Sequence, residues 1–166
     1  MMREGVLFSE TQRFRTWWVL ILLIGCTTFF LIEIVDNFAT KKESMEEIVY
    51  LCVEILSLVV FNFLFFILRL ETQITKEGIY VRFFPFHLKF KFYDWKNISK
   101  FYIRQYQPIL EYGGWGIRMG LFGKGRAFNV SGNKGLQLEF KDNNKILIGS
   151  NNSEELERVL ITLEKK

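Results

Sequence analysis

Thr16-Trp17-Trp18-Val19-Leu20-Ile21-Leu22-Leu23-Ile24-Gly25-Cys26-Thr27-Thr28-Phe29-Phe30-Leu31-Ile32 is an uncharged apolar run, and a second run covers 48–68. Each is close to the roughly 20 residues that a helix needs to cross a hydrocarbon core of about 30 Å. The pair predicts a transmembrane hairpin over 16–70, with spans 16–32 and 48–68 and an outside loop at 33–47. Trp17 and Trp18 suit the headgroup level and mark one interface. The second span is the costlier one, because it holds the acid Glu54 and the amide Asn62 before ending at Arg69.

Basic residues near span ends stay on the cytoplasmic side. Arg3, Arg13 and Arg15 precede the first run, and Arg69, Lys76 and Arg82 follow the second. The 33–47 loop sets Lys41 and Lys42 against Glu33, Asp36, Glu43, Glu46 and Glu47. This asymmetry predicts a multi-pass cell-membrane protein with two spans and both termini in the cytoplasm, residues 1–15 forming a cytoplasmic N-terminal segment. Leu23-Ile24-Gly25-Cys26 has the look of a lipoprotein cleavage box, but the apolar run continues past Cys26, where a cleaved signal turns small and polar. Cys26 and Cys52 read as apolar fillers of the spans; their spacing makes neither a CxxC pair nor a metal set.

The remaining 71–166 has the length of one small domain. Residues 1–70 carry 6 basic and 8 acidic side chains, and 71–166 carry 16 and 10, so the domain is the basic part. A basic domain beside a cytoplasmic leaflet gains about 1 kcal/mol for each lysine or arginine that reaches anionic lipid. Its basic residues are scattered and carry no recognised nucleic-acid motif, which argues against nucleic acid as a partner.

Alternation and turn residues predict strands over 71–75, 79–83, 88–93, 98–106, 115–119, 126–130, 135–141 and 145–149. The last two form a hairpin about Asp142-Asn143-Asn144. Beyond Gly149 the period turns helical: Asn152 or Ser153 caps, Glu155 completes a capping box, and Leu156, Val159, Leu160 and Leu163 make one stripe. The expected fold is therefore an α+β membrane protein, a two-helix hairpin followed by an antiparallel pleckstrin-homology-like barrel or sandwich capped by one C-terminal helix. A split β-sandwich with a docked helix is the alternative.

Tyr112-Gly113-Gly114-Trp115-Gly116-Ile117-Arg118, then 127–138 from Ala127-Phe128-Asn129-Val130 to Leu136-Gln137-Leu138, then Ile146-Leu147-Ile148-Gly149-Ser150 and the helix from Ser153 carry a resemblance. The chain over 98–163 resembles an uncharacterised family of small bacterial two-helix membrane proteins with a pleckstrin-homology-like domain. The resemblance implies fold and topology, and brings no catalytic or ligand-binding residue onto these positions.

The glycines between Gly113 and Gly135 fail both phosphate-loop patterns: Gly123-Lys124 is followed by Gly125, and no GxGxxG is completed. Turns and close backbone approach explain them better. His87 is a lone histidine in a loop, with no patterned nucleophile, so no catalytic residue is assigned and no enzyme is expected. No metal or cofactor is expected either. Counting inward from both span ends puts Glu54 level with Cys26, beside Gly25, Thr27 and Thr28, where it would tie the helices together; proton or ion handling is the competing role. If 71–75 leaves the membrane, 79–83 returns to it, which delivers Phe84-Pro85-Phe86 to the bilayer with Arg82, Lys89 and Lys91 near the headgroups; packing of these aromatics in the core is the rival reading. Trp115, Arg118 and Arg126 form an expected partner patch. The expected function is a non-enzymatic module that binds lipid or a protein partner at the membrane surface. The alternative is an accessory subunit of a transporter or membrane enzyme complex that uses Glu54.

Overall fold

A computed structural model of the chain describes residues 5–14, 17–40, 44–120 and 123–164, without the side chains of Trp18, Thr40 and Glu164. Of the charges used above for orientation, Arg3, Arg15, Lys41, Lys42 and Glu43 lie outside the described residues, as does the Trp18 side chain. The chain is α+β and divides into two units, one of residues 14–67 and one of 1–13 with 68–166.

The first unit is a helix pair, α1 (Trp17–Thr40) and α2 (Met45–Ile67). Both are long and apolar enough to cross a membrane, over Val19–Ala39 and Met45–Ile67. Each outruns its expected span at the loop end, so of the expected 33–47 loop only 41–44 lies outside the two helices. The physical reasons are local. No glycine or proline interrupts 33–40, and α2 is started by a capping box: Ser44 Oγ accepts from the Glu47 N–H at 3.3 Å while Glu47 accepts from the Ser44 N–H at 3.4 Å.

The second unit holds two sheets. β1 (Val6–Arg13), β2 (Arg69–Thr75), β3 (Gly78–Phe84) and β4 (Lys91–Asp94) form an antiparallel sheet in that order. β5 (Ile98–Gln105), β6 (Gly116–Met119), β7 (Arg126–Asn129), β8 (Lys134–Phe140) and β9 (Lys145–Gly149) form the other, ordered β5-β8-β9-β7-β6, with β7 and β9 parallel. A short α3 (Pro108–Tyr112) follows β5, and α4 (Ser153–Glu164) follows β9 and touches β1, β5 and β8.

Alternation sorts the first sheet into two faces. Phe8, Leu70, Ile74, Ile79, Val81 and Phe83 turn inward and are buried, as are Phe128, Leu136, Leu138 and Ile148 of the second sheet. Each such side chain contributes about 1.5–3 kcal/mol by leaving water. Tyr93 and Phe140 join the sheets with ring centroids 5.6 Å apart, and Trp95, in the turn after β4, meets Phe101 of the second sheet at 5.1 Å. Leu156 and Leu160 of α4 are buried on the stripe expected for that helix. Gly78 allows β3 to approach β4, since a Cβ there would lie 2.3 Å from the Tyr93 carbonyl oxygen.

Of the N-terminal segment expected over 1–15, residues 6–13 are not a segment apart. Val6–Arg13 pairs along the whole of β2, from Val6 opposite Thr75 to Arg13 opposite Arg69. Of its inward residues, Gln12 donates to the Gly149 carbonyl at 2.7 Å, and Glu10 accepts from Ser150 Oγ at 2.7 Å and the Asn151 N–H at 2.8 Å. The helix pair is therefore an insertion into the β1–β2 connection of a discontinuous domain.

Candidate functional site

Register defines one end of the first sheet. Arg13 stands opposite Arg69, and Arg69 opposite Phe84, at the positions where the chain departs into α1 and returns from α2. Two positions inward Glu71 faces Arg82, and all four side chains of these last two pairs share the outer face. Glu71 takes both guanidinium groups, Arg69 at 2.5 Å and Arg82 at 2.5 Å. The Phe84 ring lies 4.8 Å from the Arg69 guanidinium carbon, and the Phe90 ring 4.5 Å from that of Arg82. This weave of ion pairs and cation–π contacts pins both stems of the loop between β3 and β4.

The loop itself is apolar and outward. Phe86 is 70% exposed and Leu88 74%, Lys89 is exposed beside them, and the Phe84–Pro85 peptide is cis. A hydrogen bond from the His87 N–H to the Phe83 carbonyl, 2.8 Å, closes the turn. The expected surface set thus separates into three groups. Phe86 and Lys89 are outward on the loop. Arg82 and Phe84 are half-buried in its base. Lys91 leaves the set: it pairs with inward Val81, so it points between the sheets, with Nζ 5.7 Å from the centroid of Phe128. The strand expected from Leu88 begins only at Lys91 because 85–90 is spent on the turn.

Trp115, Arg118 and Arg126 do not form one patch. Arg118 stands opposite Ala127 and Arg126 opposite Met119, so the two arginines point to opposite faces of the β6–β7 ladder. Arg118 Nε donates to the Trp115 carbonyl at 2.9 Å, and Trp115 Nε1 donates to the Gly132 carbonyl at 3.2 Å.

Glu54 is not level with Cys26. The interhelical polar contact joins the Thr27 hydroxyl to Asn62 Oδ1 at 3.3 Å, and counting back from Asn62 to Glu54 and forward equally from Thr27 reaches Val35. The extension of both helices beyond their expected ends shifts the register. Glu54 is exposed on α2, and its backbone carbonyl accepts from Ser57 Oγ at 2.8 Å.

Sequence reading passed over a polar site on the outer face of the second sheet. Glu111 of α3 bridges Arg104 at 2.9 Å and Lys124 at 3.1 Å, and Arg104 also reaches Gln137 and the Tyr112 hydroxyl. Burial alone would raise the Glu111 pKa, but hydrogen bonds from Arg104, the Gln107 N–H and Lys124 prevail and hold it at about 2. Beside this lies a cleft of about 350 Å³ lined in part by Tyr102, Arg104, Lys124, Glu139 and Lys145. Its acids are all matched, Glu139 lying 3.6 Å from Lys145. The group braces α3 against the sheet. Only Pro108 at the helix start signalled α3 in the sequence.

Among the described residues no three His, Cys, Asp or Glu side chains are grouped to hold a metal ion. No family model, curated protein or solved structure matches the chain.

Proposed function

We propose that the chain is a membrane-anchored interaction module: α1 and α2 cross the bilayer, and a pleckstrin-homology-like domain works at the cytoplasmic surface, binding lipid or a protein partner without catalysis. The observation that carries this reading is the Arg13–Arg69–Phe84 register. Strands β1 and β2 are paired, which supports a reading in which both ends of the helical insertion meet the domain on one side of the membrane. The same sheet end bears the exposed apolar loop with Phe86, Leu88 and Lys89. Aromatic and apolar tips with a lysine suit the headgroup region.

The domain order favours the pleckstrin-homology-like form: a four-stranded sheet, a second sheet and a final helix that touches strands of both. The alternative, a subunit of a membrane complex, draws on Glu54. An acid exposed on a helix long enough to span calls for a partner in the bilayer.

The test places an environment-sensitive fluorophore at Phe86→Cys in the full chain, with Cys26 and Cys52 replaced by alanine, in lipid nanodiscs. The reading expects a blue-shifted emission that nitroxide-labelled lipid quenches. Emission typical of water, with no quenching, removes the surface role of the loop.

A further inference from the structure

Glu54 is placed where a bilayer tolerates an acid least. It stands nine positions from Met45 and thirteen from Ile67, so it is two short of the midpoint of α2, roughly 3 Å at 1.5 Å per residue. No other charged residue lies in the middle third of either helix. Glu33 and Asp36, like Glu46 and Glu47, fall in the third that adjoins 41–44, where an acid can reach the headgroups. Glu54 is exposed, and the hydrogen bond at this residue is taken by its backbone carbonyl, from Ser57 Oγ at 2.8 Å. Among the described residues its carboxyl group has no partner.

The residues around it make a seam. Tyr50, Glu54, Ser57, Phe61 and Leu64 follow one another at steps of four, three, four and three, and all five are exposed. That spacing repeats every seven residues and keeps one stripe in line along a helix that faces another helix. The stripe is not the one turned to α1, because Leu51, Leu58, Asn62 and Phe65 are the half-buried positions and Asn62 reaches Thr27 of α1. Apart from Cys52, the polar side chains within 48–67 are Tyr50, Glu54, Ser57 and Asn62. Asn62 serves α1, and the other three fall on the exposed stripe. Ser57 is small and folds its hydroxyl back onto the helix, which lets a second backbone come close beside Glu54.

We infer that two copies of this chain pair through the Tyr50–Glu54–Ser57–Phe61–Leu64 stripe of α2, with Glu54 hydrogen-bonded to Glu54 of the second copy, an inference that rests on the reading of α1 and α2 as membrane spans. Complementarity selects this occupant. Copies of one chain enter a bilayer in one orientation, so about a two-fold axis along the membrane normal each residue of α2 meets its own counterpart at its own depth. A partner has to offer a polar group at the level of Glu54, and a second copy does so by symmetry. A carboxylic acid both donates and accepts a hydrogen bond, so it is its own complement. The hydroxyls of Tyr50 and Ser57 flank it on the same stripe. The rival occupant is a basic residue on the helix of another protein.

The test is oxidative crosslinking of the full chain in liposomes at a low ratio of protein to lipid, with Cys26 and Cys52 replaced by alanine. Single cysteines go on the stripe, as Ser57→Cys or Phe61→Cys, and away from it, as Leu56→Cys or Phe63→Cys, both exposed positions of the same helix. The stripe variants should form covalent dimers and the other two should form few. Adding Glu54→Leu to Ser57→Cys should cut the dimer yield by about tenfold. Glu54→Gln, whose amide also donates and accepts, should keep most of it. Equal yields at all four positions are chance collision and overturn the seam, and an undiminished yield with Glu54→Leu overturns the role of Glu54. A loss with Glu54→Gln as large as with Glu54→Leu means that Glu54 needs a cation opposite, which overturns the second copy as its occupant. A water-soluble maleimide separates this inference from the reading beneath it. Labelling of Leu56→Cys in intact liposomes sinks the membrane span itself, whereas a shielded Leu56→Cys without crosslinks on the stripe sinks only the pairing.

Discussion

Gln12, six positions after Val6 opens β1, donates a hydrogen bond across the domain to the backbone carbonyl of Gly149 at 2.7 Å. The bond fastens β1 to the end of β9, and Gln12 is buried where it does so. Gln12→Ala leaves the Gly149 carbonyl without this donor, at a cost of about 1–3 kcal/mol. Denaturant unfolding of the full chain in detergent, followed on the β-sheet signal, should show the loss. Unchanged stability would mean that this bond does not help to hold β1 in the domain.

The same bond explains what was hidden in the sequence. β2, β3, β8 and β9 alternate visibly, and the expected ranges lie within two residues of the observed ones. β1 does not, because two of its inward residues are Glu10 and Gln12, held by polar partners some 140 positions away. No local pattern reports such partners. The start of α2 was different: Ser44 and Glu47 spell a capping box in plain view, and reading it would have shortened the loop and set the helix register correctly. Of the candidate site, the Phe84-Pro85-Phe86 tip was legible from turn spacing. The inward turn of Lys91 was not, since it depends on its pairing with Val81 of β3, nor was that of His87, whose ring meets Phe128 of the other sheet.

The register of the helix pair makes Asn62, rather than Glu54, the polar contact to α1. Asn62→Leu should weaken the pair by roughly 0.6 kcal/mol, the average for an interhelical polar contact in a membrane, and not by more than ~2 kcal/mol. Glu54→Gln should leave it unchanged. Steric-trap unfolding of the full chain in bicelles reads both. A larger loss from Glu54→Gln than from Asn62→Leu would restore Glu54 as the tie.

Acid should loosen α3 before the rest of the domain. The Glu111 carboxyl has a pKa of about 2 when folded, against an ordinary value of 4.5. A depressed carboxyl stabilises the fold fully above its unfolded value, and that contribution falls away as pH drops from about 4.5 towards 2. Glu111→Gln should therefore lower stability at neutral pH and flatten the acid limb of the stability curve. Chemical denaturation of both proteins across this range provides the comparison; parallel curves would mean that the Arg104 and Lys124 pairs contribute nothing to stability.

Glu71 holds Arg69 and Arg82 together, and those two guanidinium groups carry the rings of Phe84 and Phe90 at either end of the exposed loop. Glu71→Gln keeps the size of the side chain but removes its charge, so the two arginines repel and the rings lose their supports. The effect should be local, because the buried faces of β2 and β3 are untouched. Amide exchange of the His87 N–H, which bonds the Phe83 carbonyl at 2.8 Å, is the sensitive reporter. It should speed up by roughly tenfold, equivalent to about 1.4 kcal/mol of local opening, while exchange in β8 and β9 stays as it was. Equal acceleration throughout the domain would make the trio a global brace, and no acceleration would mean that the turn holds its shape without it. The local outcome would tie the presentation of Phe86 and Leu88 to an ion pair one strand away.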